Sequence, residues 1–204
     1  MAHIPDGIVA LPVIAAATSG TLLLLGLALR RLRSEQIPQT AMLGAVFFLA
    51  SLISIPIGPG GVHLLFSGLM GVVLGWAAIP AILVALLLQT LLVGHGGLLV
   101  LGVNALHIML PALLCALLLA PLLRRRSPLQ PFHVGAAAGA LGCLASSALV
   151  AMTLALSGEE YLTAARLIVI SHLPVAVIEA AVSGASIALI HRVSPRLLSA
   201  GGQA

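Results

Sequence analysis

Long apolar runs separated by short polar segments fill almost the whole chain, and this pattern limits the folds open to it. Hydrophobic residues make up 61% of the 204 residues and charged residues only 7%, whereas soluble domains carry roughly 25% charged residues. So few polar side chains cannot cover an apolar core with a polar surface. A lipid bilayer must surround most of the chain, and we predict one all-α integral membrane domain over residues 1–204.

The apolar runs predict a polytopic bundle of about seven transmembrane helices, since one crossing takes roughly 20 residues. The third and fourth spans form one uninterrupted apolar run, which is too long for a single crossing at about 1.5 Å per residue. A tight turn near Gly75–Pro80 is therefore predicted between them. The spans are Ile8–Leu29, Pro38–Ile55, His63–Ala78, Ile79–Val93, Leu98–Leu123, Phe132–Leu156 and Leu162–Ile190.

The basic residues predict how the bundle is oriented. All nine are arginines, and most lie in clusters within residues 30–33, 124–126 and 192–196, after the first, fifth and seventh spans. Such clusters favour the cytoplasmic side of a membrane. We therefore predict an amino terminus outside and a carboxyl terminus in the cytoplasm. Because topology accounts for the positive charge, nucleic acid is not expected as a partner.

This topology places four connecting segments outside, and three of them contain a histidine. They are MAHIPDG, the IGPGGVH loop, the GHGG loop and GEEY. Irregular, glycine-rich backbone at membrane depth is tolerated only where it is buried in protein or lines a cavity. Since histidine is the usual ligand of borderline metals, the outer side is a candidate metal site.

The first seven residues contain donors for a flat metal site. If Met1 is removed, which the small Ala2 favours, the Ala2 amine, His3 amide and His3 imidazole supply three nitrogens and leave a fourth corner open. If Met1 is kept, the terminus alone supplies four. Nickel(II) and copper(II) accept this geometry. His63 is the candidate for the fourth corner, although both histidines are equally well explained as interfacial residues without a ligand role.

Four further polar residues are candidates for supporting this site. Asp6 either orients the terminal segment, holds the His3 imidazole or forms only a turn. His95 is assigned to loop structure or to support of the ligands rather than to direct ligation. His107 and Asn104, one turn apart on the fifth span, are assigned to the bundle interior, with support of the site as the alternative.

Four stretches together resemble a known family over most of the chain: MAHIPDG, GPGGVHLLFSGLMGVVLG, LLQTLLVGHGGLLVLGVNALHIMLPALL and HLPVAVIEA. They resemble the CbiM/NikM family, the substrate-binding components of energy-coupling factor transporters for cobalt and nickel. The resemblance implies a terminal segment that dips into the bundle and a nearly planar nitrogen site. Its donors match Ala2, His3 and His63. Many members begin with Met-His, so this spacing requires loss of Met1.

The resemblance also implies partners and a location. It implies uptake of Ni²⁺ or Co²⁺ across a bacterial or archaeal plasma membrane, with a transmembrane coupling subunit and cytoplasmic ATPase subunits. A small accessory membrane subunit is a further candidate. The chain has no lysine and no GxxxxGK[ST] sequence, so it is not expected to be an enzyme that hydrolyses ATP. No prosthetic group is expected, and the choice between the two metals stays open.

Three residues are candidates for partner contact. Ala41 and Ala45 resemble the small-residue contact motifs of these transporters, although packing within the bundle explains them as well. Glu179 is the one acid deep in an apolar run, where a lone charge is costly. Because Glu179 falls in the inner half of the seventh span, it is assigned to structure or subunit coupling rather than to the metal site.

Two other functions stay open on the sequence alone. A stand-alone metal permease would transport the ion without ATPase subunits. An intramembrane protease is less well supported, because LFSG around Ser67 lacks the first glycine of the GxSG pattern and no HExxH sequence is present.

Overall fold

The computed structural model describes residues 3–52, 54–57, 60–124 and 130–200, most of which are helical. Short 3₁₀ turns lie at Ser34–Gln36, Gly75–Ala77 and Glu159–Tyr161, and a π-helical turn lies at Gln89–Val93. Two strands, β1 (Ser54–Ile57) and β2 (Gly60–His63), form an antiparallel hairpin. The helices of the described residues are α1 (Leu11–Arg31), α2 (Ile37–Ser51), α3 (Ser67–Leu74), α4 (Ala78–Leu88), α5 (Leu101–Leu118), α6 (Ala120–Arg124), α7 (Pro131–Ser157), α8 (Leu162–Val193) and α9 (Arg196–Ala200).

The predicted helical membrane bundle is confirmed. Within the described residues, five helical segments are long and apolar enough to cross a membrane. The shorter α2, with 15 residues, falls below the roughly 20 residues of an untilted crossing. The number of crossings and the sides of the two termini therefore stay predictions. The five segments are Leu11–Arg31, Ser67–Val93, Leu101–Leu123, Pro131–Ser157 and Glu159–Val193.

The region before α3 differs from the prediction. The sequence predicts a helix over Pro38–Ile55, but α2 ends at Ser51 and the chain continues into the β hairpin. His63 therefore ends a strand, paired with Ser54, instead of beginning a helix. The two strands pair the backbone groups that face each other, which supplies part of the hydrogen bonding that main chain beside a helical bundle needs. Hydropathy does not distinguish such an apolar strand from the end of a helix.

The predicted break near Gly75–Pro80 is present. Gly75 has φ +60 and ψ −128, a conformation open mainly to glycine. The 3₁₀ turn Gly75–Ala77 separates α3 from α4. At this turn the Arg31 guanidinium lies 4.2 Å from the centre of the Trp76 ring, so the end of α1 contacts the break directly.

The short helix α3 lies at the centre of the bundle. Seven of the eight residues of α3 are buried, against two of the 21 residues of α1. A Cβ atom at Gly68 would overlap the Ala138 carbonyl of α7, and one at Gly71 the Ala112 carbonyl of α5. Close approach through glycine is typical of membrane helix packing. Because α3 lies so deep, the residues just before it, including His63, are drawn into the bundle.

Candidate functional site

Residues 3–10 form no helix or strand, yet His3, Ile4 and Val9 of this segment are buried in the bundle. His3 is 7% exposed and Ile4 only 3%. Asn104 of α5 binds both backbone groups of Ile4. The Ile4 N–H donates to Asn104 Oδ1 at 2.9 Å, and Asn104 Nδ2 donates to the Ile4 carbonyl at 3.0 Å. Buried backbone needs such partners, so Asn104 fixes the segment directly beside His3.

Asp6 fixes the same segment to the start of α5. Its Oδ1 accepts the Val100 N–H at 3.1 Å. A Cβ atom at Gly97 would overlap the Asp6 carboxyl group, and one at Gly96 would come within 3.6 Å of His3 Cβ. The GHGG loop therefore packs directly on the terminal segment. Of the roles predicted for Asp6, orientation of the terminal segment is the one that the structure displays.

Three imidazoles from three of the predicted outer segments meet at this position. The His95 ring centre lies 5.0 Å from that of His63 and 6.4 Å from that of His3. His3 and His63 are buried, at 7% and 5% exposure, whereas His95 is half-buried. Gly94 and Gly96, on either side of His95, have φ +74 and +79, which glycine adopts readily. The two glycines allow the tight loop that turns His95 towards the other rings.

The environment of His3 favours its neutral form. Burial lowers the pKa of His3 from 6.5 to about 4, and the nearby imidazoles of His63, His95 and His107 and the terminal amine add smaller contributions in the same direction. The imidazole is therefore neutral at physiological pH. Neutral histidine is the form that binds metal ions.

His107 lies near His3 of this cluster, one turn after Asn104 on α5. It is 4% exposed, and its Nε2 lies 2.8 Å from Thr153 Oγ1 on α7. Its Nδ1 has no hydrogen-bond partner within the part of the chain that the structure describes. His107 is thus an interior histidine that contacts Thr153, and no local sequence signal pointed to Thr153 as its partner.

Two observations show that the described residues alone do not form a complete metal site. Ala2 and its amine lie outside the described residues. Within the described residues, no group of three or more histidine, cysteine or acidic side chains is arranged to hold a metal ion. His3 and His63 are the two predicted ligand side chains that the structure places in one buried cluster.

Two sets of predicted contact residues differ sharply in position. Ala41 and Ala45 lie on the exposed face of α2, where a partner helix can reach them. Glu179 is completely buried, at 0% exposure, and its carboxylate accepts the backbone N–H groups of Leu65 and Phe66. In the monomer the Glu179 side chain holds main chain inside the bundle, and its assignment to structure or subunit coupling stays a prediction.

Sequence comparison relates nearly the whole chain to metal transport proteins. The family model described as cobalt uptake substrate-specific transmembrane region matches residues 3–197. A protein of Haemophilus influenzae that is named for metal transport is 36% identical over 97% of each chain. The cobalt transport protein CbiM of Sorangium cellulosum is 30% identical over 85% of this chain and 83% of its own. The fused nickel transport protein NikMN of Rhodobacter capsulatus is 38% identical over 52% of this chain and 32% of its own.

Structure comparison gives the same fold. A crystal structure of a truncated transition metal transporter superposes with a TM-score of 0.81, at 24% identity, over 93% of this chain and 98% of that chain. A second transition metal transporter structure gives a TM-score of 0.79 at 24% identity, over 94% and 93% of the two chains. At this identity the comparison establishes a shared fold.

Proposed function

Because the chain belongs to the CbiM family of cobalt uptake substrate-specific transmembrane proteins, we propose that it is the substrate-binding subunit of an ATP-driven nickel or cobalt uptake transporter. It is a multi-pass membrane component of metal transport in a prokaryotic plasma membrane. In the proposal, the ion binds from outside and partner subunits hydrolyse ATP. The observation that carries the proposal is that His3 and His63 are both buried and that both rings lie near the ring of His95.

The proposed site uses four nitrogens around Ni²⁺ or Co²⁺. The Ala2 amine, the His3 amide and the His3 imidazole come from the terminus, and His63 supplies the fourth. A planar nitrogen field suits nickel(II), and the low pKa of His3 leaves its imidazole ready to bind. Asn104 and Asp6 hold the terminal segment in place, while His95 and His107 support the site from beside and beneath.

The proposed partners are a transmembrane coupling subunit, cytoplasmic ATPase subunits and a small accessory membrane subunit. The fused nickel transport protein NikMN supports the proposal that this chain has partners. Its name describes a fusion, and most of its length lies outside the part that matches this chain. Ala41 and Ala45 are the proposed contact of α2 with the coupling subunit, because they are small and exposed.

The test is Ni²⁺ and Co²⁺ binding by the purified chain in detergent, with mass spectrometry of its amino terminus. We expect one ion per chain. Loss of a ligand in His63→Ala should weaken binding by more than the roughly 100-fold upper range for a supporting residue. The matched control is His133→Ala, which removes an exposed histidine near the start of α7. The other end of α7 is the one near the terminal segment, because the Ser157 hydroxyl there accepts the Ala10 N–H. Equal binding by both variants would overturn the site.

The terminal amine can be tested separately. Because the chain has no lysine, an amine-selective acetylating reagent modifies only the terminus and removes its donor capacity. Acetylation should abolish binding, and full retention would exclude the amine as a ligand. Ni²⁺ uptake into vesicles that contain only this chain would instead favour a stand-alone permease.

A further inference from the structure

Glu179 binds a distant turn of the chain from the interior of the bundle. It lies on α8 and is 0% exposed, and a buried carboxylate in a membrane protein needs partners. The Leu65 N–H donates to Oε1, and the Phe66 N–H lies 3.2 Å from both carboxylate oxygens. Both donors are backbone groups, so the carboxylate holds main chain in a fixed position.

The turn that Glu179 holds directly follows His63. It leads from β2 to α3, whose first residue is Ser67. Phe66 has φ +45 and is the one non-glycine residue with positive φ in the described ranges. This conformation is unfavourable for a side chain of this size and persists where surrounding contacts impose it. The first N–H groups of a helix lack internal acceptors, and a carboxylate at this end is favoured by the helix dipole.

Close helix packing fixes Glu179 itself. A Cβ atom at Gly139 of α7 would overlap the Glu179 carbonyl, and one at Gly135 would come within 2.6 Å of the Ser183 carbonyl one turn later. The backbones of α7 and α8 therefore touch at this level. The Glu179 carboxylate therefore extends from a closely packed pair of helices. Its hydrogen bonds tie the turn after His63 to that pair.

We propose that Glu179 is a positioning residue for metal capture, which places the His63 imidazole against the terminal segment by holding residues 64–66. This rests on the proposed function, since it takes His63 as a ligand. Without the carboxylate, the turn loses its two backbone contacts and His63 its fixed distance from His3.

The test uses Glu179→Leu, Glu179→Gln and, as a matched control, Ser183→Ala, which alters a buried polar residue one turn later on α8. Ni²⁺ titration and the ligand-field absorption of bound Ni²⁺ are measured on the full chain. Glu179→Leu should weaken binding by about 10–100-fold, the usual effect of a residue behind a ligand, and should change the absorption spectrum. Glu179→Gln keeps one acceptor oxygen and should lose less than about tenfold. Ser183→Ala should match the unmodified chain.

Hydrogen exchange gives a local readout without metal. Exchange at Leu65 and Phe66 should accelerate in Glu179→Leu and, to a smaller degree, in Glu179→Gln. Should the leucine variant fail to fold, the glutamine variant decides: faster exchange confined to residues 63–67 supports the proposal, and unchanged exchange contradicts it.

Wild-type affinity and spectrum in Glu179→Leu would overturn the positioning role alone, provided that His63→Ala abolishes binding. Unimpaired binding by His63→Ala would overturn the metal site itself.

Discussion

The terminal segment and α2 show opposite relations between regular structure and burial. Residues 3–10 have no helix or strand, yet His3 and Ile4 are buried. The α2 helix is regular, yet Met42 and Leu49 are 58% and 61% exposed. In a bilayer a helix satisfies its own backbone and can face lipid, whereas irregular backbone must obtain hydrogen bonds from the protein. Burial at the site therefore depends on a few polar contacts, and the exposure of α2 needs none.

Among changes outside the proposed ligands, the largest expected effect comes from removing Asn104, the residue that binds the irregular segment. Asn104→Leu leaves the Ile4 N–H and carbonyl without their partners, and each unsatisfied buried group costs about 1–3 kcal/mol. We expect Ni²⁺ binding to weaken by roughly 100-fold, since about 1.4 kcal/mol corresponds to tenfold. Ni²⁺ titration measures the affinity, and hydrogen exchange at Ile4 reports the loss of docking.

Thr21→Val is the control for Asn104→Leu. It removes another buried hydrogen bond, from Thr21 Oγ1 to the Gly102 carbonyl at 2.6 Å, without touching the terminal segment. It should lower stability but leave the affinity for Ni²⁺ unchanged. Equal losses of affinity in the two variants would show that general destabilisation, and not docking of the segment, controls binding.

A smaller effect is expected from crowding the same segment. In Gly97→Ala the new Cβ displaces the Asp6 carboxylate and weakens its bond from Val100. Loss of one charge-assisted hydrogen bond costs about 1.5–3 kcal/mol, and relaxation of the Asp6 side chain recovers part of this. We expect about tenfold weaker Ni²⁺ binding. Gly26→Ala, where nothing lies within 4 Å, should bind normally, and a loss there equal to that of Gly97→Ala would contradict the explanation.

The smallest effect on the metal site is expected on α2. Ala45→Leu enlarges a side chain on the exposed face, so stability should change by no more than about 0.5 kcal/mol and Ni²⁺ affinity should be unchanged. Copurification with the coupling subunit should fall, because the larger side chain blocks close helix approach. Met42→Leu, which introduces leucine at another exposed position of the same helix with almost no change in side-chain size, is the control. Lost metal binding in Ala45→Leu would break the contrast between α2 and the terminal segment.

Several features of the site follow from local sequence. The arginine clusters predict that the segments of His3, His63 and His95 lie on one side of the membrane, and the structure brings these three side chains together. The turn after α3 is signalled by Gly75 within an apolar run that is too long for one crossing. Orientation signals and chain length act locally, so they can be recognised without a structure.

Other features depend on partners far away in the chain. Asn104 and Ile4 are 100 residues apart, and Glu179 and Leu65 are 114 apart. From its depth along the seventh span, Glu179 is predicted to lie away from the metal site. The contact with residues 64–66 is missed because nothing in the sequence indicates that these residues enter the bundle. The β hairpin before them was also not predicted, since a short apolar strand and the end of an apolar helix have the same hydropathy.

The sequence by itself determined that a lipid bilayer surrounds this protein, that its fold is helical, and that histidines lie in its amino-terminal segment and loops, since composition and charge act residue by residue. The tertiary structure alone decided that Asn104 and Asp6 bind the terminal segment and that Glu179 holds the turn after His63. These are hydrogen bonds between groups brought together by helix packing, and their geometry exists only once the helices have packed.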